Sequence, residues 1–370
     1  MTTRNRQHGR DKTLMADDND KAGTILCGKQ PWKDRELPSW IVSFAFMVMV
    51  LLFGVRFVAI PVSNDGLGPF WGGTLRLVLA SAIFMFIALA RRPALPNAKG
   101  IVFSLIYGIF SVGLNIGLLY WGLLHVNSDT ASIIYAAVPL AVVLLAVYFG
   151  LEGFHWRLLI GALFGLFGVA IIFGLAVSYG IYVDSLLAVV GGALFNSIGQ
   201  IAAKKAQGVD PIMMNSVGFS LGAFMLFSMS LFTRESIILP THGTTWLAIG
   251  CLVVVSVVGY YINVLIIQKR SVSYASFSNV LTPIVTIVAS SFIFGEEITP
   301  AFMFGTSLIF AGLIFSGHLV IKKPKETFAR TYAARQASKR RAIAWSKRAT
   351  SFIVIEPLKV ENEETEQQIQ

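Results

Sequence analysis

Two arginine residues, Arg56 and Arg76, lie inside long apolar stretches of this sequence. A guanidinium group is costly in apolar surroundings, so it usually faces the protein interior or a water-filled cavity. Because guanidinium binds carboxylate and phosphate groups through two parallel hydrogen bonds, it suits the recognition of anions. We therefore expect Arg56 to bind an anionic group of a small molecule and Arg76 to brace neighbouring helices. The alternative is that both side chains extend outward to water and an acidic residue there: Asp65, Asp129 or Asp184.

Polar side chains recur in the same kind of stretch. Asn196, Gln200 and Lys204 are spaced by four residues, which places them in a row along one side of a helix. A row facing lipid would leave polar groups without hydrogen-bond partners, so we expect it to face protein or water. Any one such residue could instead join two helices. The polar residues that we expect to line a cavity with Arg56 are Asn115, Tyr135, Asn196, Gln200, Tyr260, Asn263, Ser276 and Asn279.

Two prolines, Pro139 and Pro283, lie about eleven residues into apolar stretches, which at about 1.5 Å per residue is close to a bilayer midplane. A proline inside a helix lacks the N–H group and displaces the carbonyl four residues earlier. The displaced carbonyls would belong to Tyr135 and Asn279. We predict that each proline is a hinge. The freed carbonyls either contribute to a midplane site or are satisfied by a neighbouring Ser or Thr hydroxyl.

The elements that must position these residues are membrane spans. The chain has 370 residues, is 55% hydrophobic and is only 14% charged, whereas a soluble domain has about 25% charged residues. Because about 20 apolar residues cross a bilayer, we predict an all-α membrane protein with ten transmembrane helices. The predicted spans 1 to 10 are 40–60, 69–90, 101–121, 128–149, 158–178, 183–204, 211–232, 245–268, 272–295 and 300–321. Tyr120 and Trp121 end span 3, and we interpret them as anchors at the membrane surface.

Lys and Arg residues occur in alternate loops, for example at Arg91-Arg92 and Lys269-Arg270. The loops between these contain a single Lys or Arg residue, which is Arg234. Positive residues mark cytoplasmic loops, so both termini are predicted to be cytoplasmic. Residues 1–39 are predicted to be a disordered cytoplasmic tail. Residues 322–370 are predicted to be a second tail, with a basic amphipathic helix that lies on anionic lipid. A run of positive charge is weak evidence for nucleic-acid binding, which we do not expect.

The two halves of the chain resemble each other. A shift of 144 positions brings Ala131-Ser132 onto Ala275-Ser276 and Pro139 onto Pro283. The same shift matches Glu152 with Glu296, Gly161 with Gly305, and Gly168 with Gly312. Because each half has five spans, an odd number, the second half enters the membrane inverted. Residues 40–178 and 183–321 therefore form a predicted 5+5 inverted repeat, which is typical of secondary transporters with a site near the midplane.

Several segments have the pattern of a known family. They are Phe53-Gly-Val-Arg56-Phe57, Arg76, Phe149-Gly-Leu-Glu152 followed by Trp156, and Phe294-Gly-Glu296-Glu297, with the glycine pairs above. The sequence thereby resembles the EamA-type branch of the drug/metabolite transporter superfamily. The resemblance implies ten helices and the export or exchange of small polar metabolites, amino acids or drugs by alternating access, most often in a bacterial inner membrane. Nucleotide-sugar and phosphate-ester antiporters of the same superfamily are the alternative that it implies.

Structural roles are expected for the repeated acids and glycines. We expect Glu152 and Glu296 to brace the turns at the ends of their spans; the alternative is that they carry protons. The glycines Gly161, Gly168, Gly305 and Gly312 are expected to allow close helix packing within the chain. The alternative use of these glycines is a homodimer face formed by spans 5 and 10.

Other classes of protein are poorly supported. The segment Gly218-Phe-Ser220-Leu-Gly222 matches the nucleophile pattern G-x-S-x-G, but that motif requires a strand–turn–helix elbow and here lies in an apolar helix. An intramembrane hydrolase is therefore a remote alternative, as is a channel. Cys27 and Cys251 cannot form a disulfide framework or a zinc pattern. Since the sequence has no P-loop either, we expect no cofactor, no metal and no ATP hydrolysis.

Overall fold

The computed structural model describes residues 38–93, 95–151, 182–206 and 208–294, with the single residues 156, 160, 167 and 307. Within these residues all regular secondary structure is helical. Eight of the described helices are long and apolar enough to cross a bilayer, and they confirm predicted spans 1 to 4 and 6 to 9 to within a few residues. Their bounds are Trp40–Asn64, Pro69–Arg91, Ala98–Gly122, Ser128–Tyr148, Val183–Lys205, Pro211–Phe232, Gly243–Lys269 and Val272–Phe294.

Nearly all of predicted spans 5 and 10 and of both tails lies outside the described residues. The total of ten helices, the cytoplasmic termini and the basic helix of the C-terminal tail therefore stay predictions. The residues with assigned structural roles that lie outside the described part are Glu152, Glu296, Gly161, Gly168, Gly305 and Gly312.

The start of span 2 is held by the loop that follows span 7. Pro69 is the first residue of span 2, a position where a helix needs no N–H donor. The Glu235 carboxylate accepts the next two backbone N–H groups, from Phe70 at 3.1 Å and from Trp71 at 2.7 Å. A carboxylate at a helix N-terminus satisfies free donors and complements the helix dipole. This contact joins two spans that pack extensively against each other.

Two spans contain a π-helical segment. Span 3 contains a π-helical segment at Gly108–Leu114, and span 8 contains one at Val255–Gly259. The shift of 144 positions places the first segment on residues 252–258, which overlap the second. π-Helical turns are rare and frequently lie at functional sites. The third span of each predicted half therefore has the same type of distortion at nearly the same position.

Spans 4 and 9 are each interrupted. Span 4 divides at Ala137 into Ser128–Ala136 and Val138–Tyr148, and span 9 divides at Phe277 into Val272–Ser276 and Ser278–Phe294. Pro139 is the second residue of its helix, where a missing N–H is tolerated. Pro283 lies inside its helix, and the Thr282 hydroxyl donates to the Asn279 carbonyl at 2.7 Å. The carbonyl that Pro283 displaces thus has a hydroxyl partner, which is the second of the two arrangements predicted.

Helix contacts between the halves come in matched pairs. Span 2 packs against span 7, and span 4 packs against span 9. Span 1 packs against span 9, and the corresponding span 6 packs against span 4. Span 3 packs against spans 6 and 7, and the corresponding span 8 packs against spans 1 and 2. The predicted inverted repeat would produce this pairing, and the repeat itself stays a prediction. The direction of each half relative to a membrane stays a prediction.

The outside of the bundle is apolar and its inside contains the polar groups. Large apolar side chains such as Phe86, Phe224 and Phe292 are exposed, whereas Arg56 and Arg76 are buried. In water this distribution would be unfavourable, because an exposed apolar surface of this size is rare on soluble monomers. It suits a bundle surrounded by lipid, which must satisfy its polar groups internally.

Spans 3 and 7 approach closely because glycines face each other. A Cβ added at Gly108 would lie 2.9 Å from the Cα of Gly218. Gly218, the first glycine of Gly218-Phe-Ser220-Leu-Gly222, therefore allows the two helices to pack closely. Ser220 of the same segment is exposed on the outer surface of the bundle. Since Ser220 lies inside the helix Pro211–Phe232, it has no strand–turn–helix elbow around it.

Replacing Gly218 with Val is expected to destabilise the protein by about 1–3 kcal/mol, as overpacked substitutions do. A Cβ at this position would also lie 2.9 Å from the ring of Tyr107. The measurement is the midpoint of thermal unfolding of the purified protein in detergent. Ser220→Ala is the matched control, two residues away on the exposed face, and should leave the midpoint unchanged. An unchanged midpoint for Gly218→Val would contradict the close contact of spans 3 and 7.

Candidate functional site

Arg56 lies inside the bundle among aromatic rings. Its side chain is only 2% exposed, and its guanidinium carbon is 4.9 Å, 4.7 Å and 5.0 Å from the ring centres of Phe53, Phe57 and Tyr135. Such cation–π contacts partly compensate the lost hydration of the charge. The Nε and Nη2 atoms nevertheless have no hydrogen-bond partner. Because the group is buried rather than at the surface, the predicted outward alternative is wrong for Arg56.

The groups that act electrostatically on Arg56 are Tyr260, Tyr135 and Arg76. No carboxylate is among them in the part of the chain that the structure describes. Tyr260 belongs to span 8, so the charge on span 1 is in contact with both predicted halves of the protein. The result is a buried cation with open donor atoms and no negative partner among the described groups that act on it.

Tyr135 is fixed in place by Asn115. The Tyr135 hydroxyl donates to Asn115 Oδ1 at 2.6 Å, and Asn115 Nδ2 donates to the carbonyl of Ser111 at 2.9 Å. Ser111 lies in the π-helical segment of span 3, and its hydroxyl donates to Asn196 Oδ1 at 3.1 Å. These bonds form a chain from the ring beside Arg56 to span 6. Asn115 and Asn196 are therefore in one polar network with the aromatic surroundings of Arg56.

The row on span 6 faces protein, as predicted. Asn196 contacts span 3 as described above, and Lys204 Nζ donates to the carbonyls of Ile267 and Arg270, both at 2.9 Å. Between them, Gln200 is buried and its Oε1 atom has no hydrogen-bond partner. Lys204 thus stabilises the C-terminal end of span 8, whereas Gln200 keeps an open acceptor inside the bundle.

The predicted site residues on spans 8 and 9 are all buried. The Ser276 hydroxyl donates to the Ser273 carbonyl at 2.9 Å, and Asn279 Nδ2 donates to the Ser276 carbonyl at 3.1 Å. The Oδ1 atom of Asn279 has no partner. Asn263 is buried on span 8. Ser276 and Asn279 therefore form a local cluster at the break in span 9, with one open acceptor.

Arg76 joins spans 2 and 8. Its side chain is 1% exposed, so the outward alternative is wrong for this residue too. Its Nε donates to the hydroxyl of Ser256 at 2.7 Å, and Ser256 donates in turn to the Leu252 carbonyl at 2.8 Å. This is the bracing contact predicted from the sequence, and it ends on the π-helical segment of span 8. Nη2 of Arg76 has no partner.

The interpretation of Tyr120 as a surface anchor is wrong. Its side chain is 0% exposed, and its ring centre lies 6.0 Å from the guanidinium carbon of Arg76. Asn64 Nδ2 donates to the Tyr120 carbonyl at 3.0 Å, so the end of span 1 covers this part of span 3. Neither the Tyr120 hydroxyl nor the hydroxyl of Ser63 has a partner. Burial by spans 1 and 2 is the physical reason that the tyrosine does not reach the membrane surface.

Several residues of this region were not selected from the sequence as site residues. Phe53 precedes Arg56 by three residues on one helix, a spacing that places both side chains on the same face, so this contact had a signal in the sequence. No spacing in the sequence identified Phe57, Tyr107 or Ser256 as residues of this region. Tyr107 donates from its hydroxyl to Asn215 Oδ1 at 2.9 Å and is fully buried.

Comparison with known proteins agrees with this architecture. Residues 40–174 and 185–317 each match the model of a family described as the EamA-like transporter family. An "Uncharacterized transporter" of Archaeoglobus fulgidus is 25% identical over 78% of this chain and 100% of its own length. A "Probable terminal-alkyne amino-acid exporter" of Streptantibioticus cattleyicolor is 23% identical over 76% of this chain and 95% of its own length.

Two further proteins are also similar to this chain. The "Uncharacterized transporter YoaV" of Bacillus subtilis is 23% identical over 74% of this chain and 96% of its own length. A solved structure described as "Crystal structure of protein" has a TM-score of 0.57 and 20% identity, and covers 76% of this chain and 99% of its own. At this identity the structural likeness shows the fold alone.

Proposed function

Because this chain belongs to the EamA-like transporter family, we propose that it is a secondary transporter that exports or exchanges small polar metabolites with an anionic group. The protein is a multi-pass membrane protein, and the bacterial inner membrane is its proposed location. The proposed mechanism is alternating access between the two halves, without a cofactor. The substrate would bind among spans 1, 3, 4 and 8.

The observation that supports this proposal most directly is the pair of open donors on Arg56. A buried charge without a partner costs several kcal/mol, and the Nε and Nη2 atoms are buried and unpaired. A carboxylate would satisfy both donors in a bidentate pair. The faces of the three rings around the guanidinium supply no negative charge, so an anionic ligand is the partner that we propose. An amino acid, the substrate type in the printed name of one relative, has such a carboxylate.

Alternating access requires that ligand binding change the contacts between the halves. Arg56 and Tyr135 belong to the first half, and Tyr260 belongs to the second; both tyrosines act on the guanidinium. A ligand that pairs with Arg56 would therefore change interactions in both halves at once. The proposed hinges are the breaks in spans 4 and 9, which precede Pro139 by two residues and Pro283 by six.

The experiment is counterflow in liposomes containing the purified protein. The external probes are radiolabelled L-amino acids, with labelled mannitol as a neutral control. We expect saturable uptake of at least one amino acid, accelerated when the same unlabelled compound is enclosed inside, and no uptake of mannitol. Acceleration from the opposite side is a property of carriers. Uptake without acceleration or saturation would contradict a carrier and favour a channel.

A further inference from the structure

The strongest unassigned feature of the molecule is a second buried guanidinium close to the first. Arg56 on span 1 and Arg76 on span 2 are 2% and 1% exposed, and Arg76 is among the charges that act on Arg56. Like charges repel strongly where the dielectric constant is low. Two neighbouring cations are therefore unfavourable in a bundle core unless something negative is placed between them.

Arg76 is incompletely satisfied by the contact that braces it. Its Nε is bonded to Ser256 at 2.7 Å, but its Nη2 is buried without a partner. A residue needed only to join two spans could do so with a neutral amide. The remaining guanidinium donor is available to a ligand.

Two hydroxyl groups beside Arg76 are also buried without partners. They belong to Tyr120 and Ser63, and the Tyr120 hydroxyl lies close enough to Arg76 and to Ser63 for weak hydrogen bonds with both. The two side chains meet at Gly72, where an added Cβ would lie 3.1 Å from Ser63 Oγ and 3.7 Å from a ring carbon of Tyr120. Arg76 can only donate, and each hydroxyl can donate. An oxyanion could accept from all three groups.

The two cationic groups belong to one region of the bundle. The ring of Phe53, 4.9 Å from the Arg56 guanidinium carbon, packs against Tyr260 with 5.5 Å between ring centres. Ser256, which accepts from Arg76, precedes Tyr260 by four residues on span 8. A monoanion paired with Arg56 would leave Arg76 with an unpaired charge. A ligand with two negative charges would neutralise both.

We infer that the transported substrate is a small dianion, with one negative charge at Arg56 and the other at the cluster of Arg76, Tyr120 and Ser63. This inference rests on the proposed function, which by itself requires only one anionic group at Arg56. Arg76 is then a residue that determines specificity for charge. Both a dicarboxylate and a phosphate monoester have this chemistry.

The test measures ligand-induced shifts in the thermal unfolding midpoint of the full-length protein in detergent, at matched ionic strength. The probes are succinate and glycerol 3-phosphate as dianions, with butyrate and glycerol as their matched counterparts. We expect the dianions to bind at least about tenfold more tightly than butyrate, because they gain a second charge pair. A response to succinate alone identifies the dicarboxylate class, and a response to glycerol 3-phosphate alone identifies the phosphate esters.

Variants separate the role in binding from the role in bracing. Arg76→Gln should abolish the preference for dianions while leaving the affinity for butyrate within about twofold, since Arg56 is intact. Ser256→Ala removes the bracing bond but keeps the charge, so it should retain the preference. Arg76→Lys provides a second charged variant in case the Gln variant does not fold.

The outcomes distinguish the two proposals. If butyrate and the dianions bind the wild-type protein equally, and binding requires Arg56, the dianion inference is overturned and the proposed function stands. Retention of the dianion preference in Arg76→Gln would also overturn the inference. If no anion binds, or if binding is unchanged in Arg56→Gln, then both proposals are overturned.

Discussion

Arg56→Gln is expected to lower counterflow of anionic substrates by at least about 100-fold, because removing one partner of a buried charge pair costs about 3–5 kcal/mol. Glutamine is polar but shorter than arginine, and it has neither the charge nor the two-pronged donor geometry of guanidinium. Arg56→Lys retains the charge and loses the planar geometry, so it should retain part of the activity. Arg91→Gln is the matched control, since Arg91 is exposed at the end of span 2, and it should transport like the wild type.

The same substitution should have little effect on the stability of the ligand-free protein. The three cation–π contacts of Arg56 contribute about 0.5–2 kcal/mol each, and burial of an unpaired charge costs several kcal/mol, so the two effects nearly cancel. We therefore expect the unfolding midpoint of ligand-free Arg56→Gln to stay close to that of the wild type, and its ligand-induced increase to disappear. A stable variant with wild-type counterflow would contradict the assignment of Arg56 to the substrate.

Tyr135→Ala is expected to destabilise the protein by about 3–5 kcal/mol, the cost of removing a large buried aromatic ring. The ring is fully buried, packs edge-on against Phe57 with 5.3 Å between ring centres, and lies against the Arg56 guanidinium. Tyr135→Phe is the matched control, because it keeps the ring and removes only the hydroxyl. Hydrogen bonds within membrane bundles contribute about 0.6 kcal/mol on average and at most about 1.7, so this variant should lose much less stability.

The measurement for Tyr135 is equilibrium unfolding in detergent, together with counterflow of the variants that fold. Asn115→Leu should behave like Tyr135→Phe, and the double variant should lose less stability than the sum of the two, because the same 2.6 Å bond is removed in each. Equal destabilisation by Tyr135→Ala and Tyr135→Phe would mean that the hydroxyl, rather than the ring, is the essential group.

The eight described spans were predictable because a hydrophobic segment of bilayer length is a local property of the sequence. The inward orientation of the Asn196, Gln200 and Lys204 row followed from the helical period and from the cost of polar groups in lipid. The position of Arg56 inside the bundle was predictable on the same grounds. Its aromatic surroundings were only partly so, since Phe53 is three residues away on the same helix but Tyr135 comes from span 4.

The prediction for Tyr120 failed because a tyrosine at the end of a span has the same local sequence whether it faces lipid headgroups or protein. Its burial depends on the end of span 1, which contacts the Tyr120 carbonyl through Asn64. The partner of Arg76 is Ser256, which is 180 residues away in sequence. Contacts at this separation have no period or spacing by which a single sequence could identify them.

The sequence by itself determined that this chain is a membrane bundle, where its described spans begin and end, which family it resembles, and that two arginines must lie away from lipid. Each of these depends on hydrophobicity, charge and spacing within about 20 residues. Only the tertiary structure decided that Arg56 is enclosed by Phe53, Phe57 and Tyr135, and that its donors are open. It also decided that Arg76 and Tyr120 form a second cluster nearby. These features arise because spans that are far apart in the sequence pack against each other. How their side chains pack depends on the shapes of all the neighbouring groups in three dimensions.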